Sequence, residues 1–95
     1  MAEFKLIIAG GRDFNDGGLF TNAILALCVN GPLADKPVSI VSGMARGADM
    51  MGYQFACENG VKVYACAADW DKHGKTAGFI RNKQMGDMAD GLLAF

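Results

Sequence analysis

Three short stretches combine glycine with arginine or with a predicted helix start, a composition suited to anion binding. They read AGGRDF at residues 9–14, SGMARGAD at residues 42–49 and ADWDKHGKTAGFIRN at residues 68–82. Glycine lets a backbone turn sharply and approach a ligand closely, and the free N–H groups at a helix N-terminus attract negative charge. A guanidinium adds a bidentate contact to phosphate or carboxylate. Together the three stretches predict a site for an anionic, phosphorylated ligand.

Each stretch also has a plainer interpretation on its own. The first matches neither GxGxxG nor GxxxxGK[ST], and by itself it favours a tight turn with Arg12 and Asp13 as a surface ion pair. In the second, Gly47 either serves only helix–strand packing or lets Arg46 meet an anion, and the residues alone leave the two evenly balanced. In the third, Trp70 either covers the sheet edge, the commoner use of a loop tryptophan, or stacks on a base or sugar.

Two side chains of the third stretch carry different expectations. Arg81 lies in the first turns of a predicted helix, where the helix dipole gives an arginine no benefit. We therefore expect it to meet a ligand or an acidic neighbour such as Asp13 or Asp49. His73 is the only histidine and is expected to be solvated, so we assign it no mechanism.

Composition bounds the class of protein. Ninety-five residues suit one domain, expected to span 1–95. A hydrophobic fraction of 52% and a mean hydropathy of +0.17 are high for this size and indicate a subunit interface or a missing covering element. A net charge of −1 offers no general attraction to nucleic acid. We expect a homo-oligomer without a nucleic-acid partner.

Cysteine usage and hydropathy suggest a location. Cys28, Cys57 and Cys66 are an odd set without CxxC spacing, which argues against both a disulfide framework and structural zinc and fits a reducing cytoplasm. The apolar run at residues 6–9 is too short for a signal peptide, and no run approaches the length of a membrane span. We expect a cytoplasmic protein with no membrane partner, no metal and no cofactor.

The elements that must position these residues alternate along the chain. The pattern predicts strands at 4–9, 37–41, 61–66 and 90–95. It predicts one helix at 17–30 after an Asp16 cap, a second from 47 or 48 to 58, and a third from a Thr76 cap to 88. A polar loop is predicted at 67–75. Such alternation indicates a parallel sheet of about four strands with helices on both faces, a Rossmann-like three-layer α/β sandwich. Ligands bind such sheets beyond the carboxyl ends of the strands, where all three stretches fall.

The chain resembles the YspA-type (YspA/cpYpsA-related) branch of the SLOG superfamily, named for the Smf/DprA DNA-processing proteins and the LOG phosphoribohydrolases. The resemblance rests on AGGRDF, VSGMARGADMMGYQFA, ADWDKHGKTAGFIRNKQM and DGLLAF and covers essentially the whole chain. It implies a pocket for nucleotides or nucleotide-derived ligands, in bacterial or phage proteins that sense or process nucleotide-like signals. By motif, the pocket would contain Gly10, Gly11, Arg12, Ser42, Gly43, Arg46, Gly47, Asp49, Asp69, Trp70, Lys75, Gly78, Arg81 and Asn82, with Asp13 beside them.

Two departures from the pattern shape the expectation about catalysis. The LOG enzymes carry a PGGxGTxxE stretch with a catalytic glutamate, and nothing here matches it. The YspA-type relatives usually continue past the DGLLAF-like strand into a glycine- and threonine-containing turn and another helix, whereas this sequence ends at Phe95. We therefore expect the C-terminal helix and part of the pocket to be missing, and catalysis by the 95-residue form to be disfavoured.

Four functions are weighed against these observations. The leading hypothesis is a module that binds a nucleotide-like small molecule, as a sensor or a processing unit. A hydrolase of N-glycosidic or phosphoester bonds is the alternative, with Asp13, Asp49 or Asp69 as acid–base candidates. A single-strand nucleic-acid binder is disfavoured by the near-neutral charge. The fourth is a non-catalytic, oligomeric interaction subunit.

Overall fold

Four parallel strands form one sheet. The computed structural model describes residues 3–95, in which β1 is Phe4–Ala9, β2 is Val38–Ser42, β3 is Val63–Ala65 and β4 is Gly91–Ala94. The strand order is β3-β2-β1-β4, and every neighbouring pair is parallel. The predicted first strand is confirmed to the residue, β2 begins and ends one residue later than predicted, and the last two are shorter. The predicted parallel α/β fold is confirmed.

Helical segments connect the strands. Helix α1 is Gly17–Ile24 and continues as a π-helical turn over Leu25–Val29, α2 is Ala48–Glu58, α3 is Trp70–His73, a 3₁₀ turn covers Gly74–Thr76, and α4 is Ala77–Met88. None of these helices is long and apolar enough to cross a membrane. The three predicted helices correspond to α1, α2 and α4. The end of α1 and the start of α4 differ from the prediction.

The first helix ends differently from the prediction. Asp16 caps it as expected, because its carboxylate accepts a hydrogen bond from the Leu19 N–H at 3.0 Å. The predicted continuous helix to residue 30 is wrong, since the last turn widens and the Asn30 N–H donates to the Leu25 carbonyl, five residues back, at 2.9 Å. After this turn the Leu33 N–H donates to the Leu27 carbonyl, and the Leu33 side chain is buried.

The core lies on the sheet face that α1 and α2 cover. Leu6 and Ile40 are paired in register and so point to the same face as Ile8, two residues beyond Leu6. These three side chains pack with Phe20 of α1 and Ala56 of α2 in one buried cluster. Burial of this apolar surface, at about 25 cal/mol per Å², is what holds both helices against the sheet.

The second face of the sheet is covered by the return connection. The chain must cross from β3 at one edge back to β4 at the other, and right-handed crossovers place α4 opposite α1 and α2. Val41 points to this second face and is fully buried. Coverage stops short of the β4 edge, where Leu92 is 63% exposed.

The predicted polar loop at 67–75 is wrong in detail, because it contains α3 and the 3₁₀ turn. Asp69 stabilises α3 by accepting a hydrogen bond from the Lys72 N–H at 3.1 Å. Thr76 precedes α4 but does not cap it. Its backbone is already helical (φ −87°, ψ −4°), whereas a capping residue needs an extended conformation, and its hydroxyl instead donates to the His73 carbonyl.

A carboxylate joins the amino ends of three strands. Glu3, just before β1, accepts hydrogen bonds from the Ser39 hydroxyl of β2 and the Tyr64 hydroxyl of β3. The hydrogen bond from Ser39, followed by that from Tyr64, lowers the pKa of Glu3. Because the folded-state pKa of Glu3 is depressed, its carboxylate stabilises the fold at pH values above the unfolded-state pKa of 4.5. This stabilisation is lost as the pH falls through the folded-state pKa.

We therefore expect Glu3→Gln to be less stable than the wild type at neutral pH, with the difference narrowing as the pH falls below 4.5. Urea unfolding followed by circular dichroism at several pH values measures this. Asp35→Asn, which removes an exposed carboxylate, is the matched control and should show no such narrowing. A difference between Glu3→Gln and wild type that is constant across the pH range would contradict the assignment.

Candidate functional site

A cavity of about 550 Å³ opens at the carboxyl ends of β1, β2 and β3. It is lined by Arg12, Gly43, Met44, Ala45, Arg46, Ala67, Ala68, Trp70 and Arg81. These residues come from the three strand-end connections and from α4. Parallel α/β sheets bind ligands at this edge, and the volume falls in the range of small-molecule sites. The three glycine- and arginine-containing stretches thus contribute to one cavity.

Five of the sequence-predicted residues line this cavity: Arg12, Gly43, Arg46, Trp70 and Arg81. Three of them carry a guanidinium, and the lining contains no carboxylate. Because unlike charges attract strongly in a concave, partly desolvated site, the lining favours an anion. Nowhere in residues 3–95 do three histidine, cysteine or acidic side chains gather in a way that would hold a metal ion.

Four lining residues were not predicted: Met44, Ala45, Ala67 and Ala68. The alanines carry no chemical group that a sequence pattern could single out. Met44 adopts a left-handed backbone with φ 63°, a conformation that is uncommon for a residue other than glycine. Its N–H donates to the Ser42 hydroxyl at 3.1 Å, so the turn after β2 is held by the backbone and Ser42 rather than by a glycine.

The segment that follows β1 and the segment that follows β2 touch at Gly47. This residue has φ 87°, in the region that glycine alone adopts without strain. A Cβ added here would collide with the Gly11 carbonyl oxygen and lie 2.8 Å from that of Arg12. Gly47 therefore lets the backbone of Arg12 lie directly against the residue that follows Arg46. This contact places the backbones of Arg12 and Arg46, which both line the cavity, next to each other.

Asp49 is buried beside Gly43, which lines the cavity. Its side chain is only 6% exposed, and its backbone carbonyl accepts a hydrogen bond from the fully buried Ser42 hydroxyl at 2.8 Å. Burial raises the pKa of the Asp49 carboxyl, whereas the Arg81 guanidinium and then the N–H groups of Ala45 and Gly10 lower it. Asp49 thus ties the second connection to the end of β1.

Arg81 is engaged by the protein itself. Its Nη1 donates to the Gly43 carbonyl at 2.6 Å, and its Nε donates to Asn82 Oδ1 at 2.7 Å. A Cβ on Gly43 would lie 2.7 Å from Asp49 Oδ2 and 2.9 Å from Arg81 Nη1, so the absence of a side chain there lets both charges approach the same point. Of the two acidic neighbours suggested by the sequence, Asp49 is therefore the one that Arg81 faces.

Trp70 lines the cavity beside the start of α4. A Cβ on Gly78 would lie 3.5 Å from Trp70 Cη2 and 3.9 Å from Arg81 Nη2, which places the tip of the indole and the guanidinium beside the same helical turn. The Trp70 side chain is 53% exposed. It is the first residue of the short helix α3 and not part of a loop, and this helix is capped by Asp69, which accepts a hydrogen bond from the Lys72 N–H.

The remaining predicted residues lie outside the cavity lining. Gly10 packs against Ala48 and the backbone of Phe95, while Asp69 borders a second cavity of about 220 Å³ that is lined by residues of α3 and α4. Asp13 and Lys75 are exposed. The surface ion pair expected between Arg12 and Asp13 is absent, because within residues 3–95 the only pair within 4.0 Å joins Lys83 and Asp87.

Comparison with known proteins gives a match to a protein family. No curated protein and no solved structure matches the chain. Residues 4–73 match the family described as YAcAr, the YspA, cpYpsA-related SLOG family. The match contains β1 to α3 and therefore the Arg12, Arg46 and Trp70 positions, and it stops before α4 and Arg81. Since it spans well over half of the sequence, the chain belongs to the YspA, cpYpsA-related SLOG family.

Proposed function

We propose that the cavity binds a nucleotide or nucleotide-derived phosphorylated ligand and that the chain acts as a sensor or processing module. The observation that carries the proposal is the meeting of three arginines and one tryptophan in a cavity without a lining carboxylate. Guanidinium groups supply paired donors to phosphate oxygens, and an indole ring supplies a surface for a base or sugar. Membership of a SLOG family supports a nucleotide-related ligand at a coarse level.

Arg46 is the residue with which to test anion binding. It is exposed at the cavity, and the hydrogen bonds and ion pairs of residues 3–95 include none from its side chain. Arg46→Ala therefore removes a potential ligand contact without breaking a contact of the fold. We expect a panel of nucleoside mono-, di- and triphosphates to raise the melting temperature of the wild type and to do so far less for the variant.

Isothermal titration calorimetry gives the size of the effect. A charge-assisted hydrogen bond contributes roughly 1.5–3 kcal/mol, so the affinity of Arg46→Ala for the best nucleotide should fall by about tenfold or more. Lys83→Met is the matched control, because it removes one positive charge from an exposed pair on α4, and it should bind like the wild type. Equal binding by all three proteins, or no binding of any nucleotide, would refute the proposal.

The hydrolase alternative finds less support at this cavity. Its acid–base candidates were Asp13, Asp49 and Asp69, and none of them lines the cavity. Asp49 comes nearest, but its side chain is buried beside Gly43 and faces Arg81 instead of lining the cavity. General acid–base catalysis needs the carboxyl within hydrogen-bonding reach of the reacting atom. We therefore favour binding over hydrolysis.

The homo-oligomer and the cytoplasmic location stay predictions. Large apolar side chains are exposed on α4 at Phe79, which is 78% exposed, on α1 at Leu19 and on the sheet at Leu92. They agree with the apolar excess of the composition, because such side chains are commonly covered at interfaces. They lie on different elements and do not single out one interface. The interaction-subunit alternative therefore remains secondary to ligand binding.

A further inference from the structure

The three arginines of the cavity are not equivalent. Arg81 already donates to the Gly43 carbonyl and to Asn82 Oδ1 and faces the Asp49 carboxylate. No side-chain hydrogen bond or ion pair of residues 3–95 involves Arg12 or Arg46, and both are exposed. Two guanidiniums are thus available to a ligand, whereas the third is held by the fold.

The lining side chains fall into two groups, each defined by a close contact at a glycine. The chain segments of Arg12 and Arg46 meet where Gly47 lies against the Arg12 carbonyl. Trp70 and Arg81 both lie beside Gly78 at the start of α4. The first group therefore offers two cationic donors that the fold does not use, and the second offers an aromatic surface.

We propose that the ligand binds with one phosphate group between Arg12 and Arg46 and with an aromatic base against Trp70, while Arg81 is a positioning residue. This assignment rests on the proposed function and deepens it. A phosphate monoester carries about −1.5 to −2 charges at neutral pH, which the two available guanidiniums balance. The ligand class is therefore a nucleoside monophosphate or a derivative that keeps both parts.

Arg81 acts through the backbone in this assignment. Its bond to the Gly43 carbonyl holds the turn that leads to Arg46, and its charge offsets that of the buried Asp49. A lysine at this position would keep the positive charge and one donor to Gly43 but would lose the planar fork that binds phosphate bidentately. The conservative variant therefore separates positioning from direct contact.

The single tryptophan makes base stacking directly measurable. We would titrate the protein with the four common nucleoside 5′-monophosphates, with ribose 5-phosphate and with adenosine, following calorimetry and intrinsic fluorescence together. Stacking predicts that at least one monophosphate quenches the Trp70 emission and binds about fivefold or more tightly than ribose 5-phosphate. Trp70→Leu should remove this preference and leave ribose 5-phosphate binding unchanged, and Trp70→Phe should retain most of it.

The arginines are compared as lysine variants against the best monophosphate. We expect Arg12→Lys and Arg46→Lys each to weaken binding by about tenfold, because each loses a bidentate contact. Arg81→Lys should stay within about threefold of the wild type. A loss for Arg81→Lys as large as for Arg46→Lys would make Arg81 a ligand contact and overturn its positioning role. Circular dichroism verifies that each variant is folded.

The outcomes separate the two levels of the proposal. If neither the monophosphates nor ribose 5-phosphate bind, the proposed function fails and the assignment fails with it. If the phosphorylated compounds bind equally well and the fluorescence does not change, the anion site stands and the role of Trp70 is overturned. If adenosine binds as tightly as its monophosphate, the phosphate position between Arg12 and Arg46 is overturned.

Discussion

Gly47→Ala is expected to lower the free energy of unfolding by roughly 2–4 kcal/mol, combining backbone strain with steric overlap. Gly47 adopts φ 87° and ψ −135°, a conformation that an L side chain strains to reach. The added Cβ would also press on the carbonyl oxygens of Gly11 and Arg12. These are backbone atoms at the end of β1 and cannot rotate away, so the two loops must separate.

Chemical denaturation measured for Gly47→Ala and for Gly86→Ala tests this expectation. Gly86 lies inside α4, and a Cβ there meets nothing within 4 Å. Gly86→Ala should therefore raise the free energy of unfolding by about 0.5–1 kcal/mol. Separation of the loops also moves Arg12 from Arg46, and we expect nucleotide affinity to fall along with stability. If Gly47→Ala were as stable as the wild type, the contact between the two loops would not be needed for the stability of the fold.

Asp49→Ala is expected to lower the free energy of unfolding by about 1–3 kcal/mol, because the polar groups around the buried carboxylate lose their negatively charged neighbour. The N–H groups of Ala45 and Gly10 interact with the Asp49 carboxylate, and the side chain is nearly inaccessible to water. Arg81 would also lose the charge that it faces. Asp49→Asn keeps the volume and one acceptor oxygen and should lose less.

The pH dependence of stability separates the effect of the Asp49 charge from the effect of its side-chain shape. Burial raises the folded-state pKa of Asp49 above the unfolded-state value of 3.8, so the folded state binds the proton more tightly. The contribution of Asp49 to the free energy of unfolding therefore falls as the pH rises above 3.8. Asn does not titrate. The advantage of wild type over Asp49→Asn should therefore be largest at low pH and shrink as the pH rises, which urea unfolding across that range measures. A growing advantage would contradict the raised pKa.

Most of the fold could be predicted because its local signals agree with one another. The run FKLIIA is apolar and stops at two glycines, and it forms β1 as predicted. Asp16 has the side chain that a helix start needs, and it caps α1. The prediction failed where local signals were weak or misleading. The residues of α3 are polar enough to suggest a loop, and Thr76 has capping chemistry in a backbone that is already helical.

Part of the site was also accessible to prediction. Arginines next to glycines at strand ends identified Arg12 and Arg46, because parallel strands bring their carboxyl ends to one edge. Arg81 was identified from its place in the first turns of a helix, where the helix dipole gives an arginine no benefit. Met44, Ala45, Ala67 and Ala68 line the same cavity but could not be identified, since they contribute backbone and small surface rather than a functional group. Asp13 and Lys75 follow the same pattern of residue types and yet lie outside the lining, because loop geometry directs them elsewhere.

The sequence by itself determined the alternation of elements, the parallel sheet and the clustering of glycine and arginine at one edge, since these depend on periodicity and local residue chemistry. Only the tertiary structure decided which arginines a ligand can reach. Arg81 is held by Gly43 and faces Asp49, residues 38 and 32 positions away in the chain. The backbones of Arg12 and Arg46 lie next to each other because Gly47 has no side chain. Such contacts between distant residues depend on how the loops pack, which local patterns do not specify.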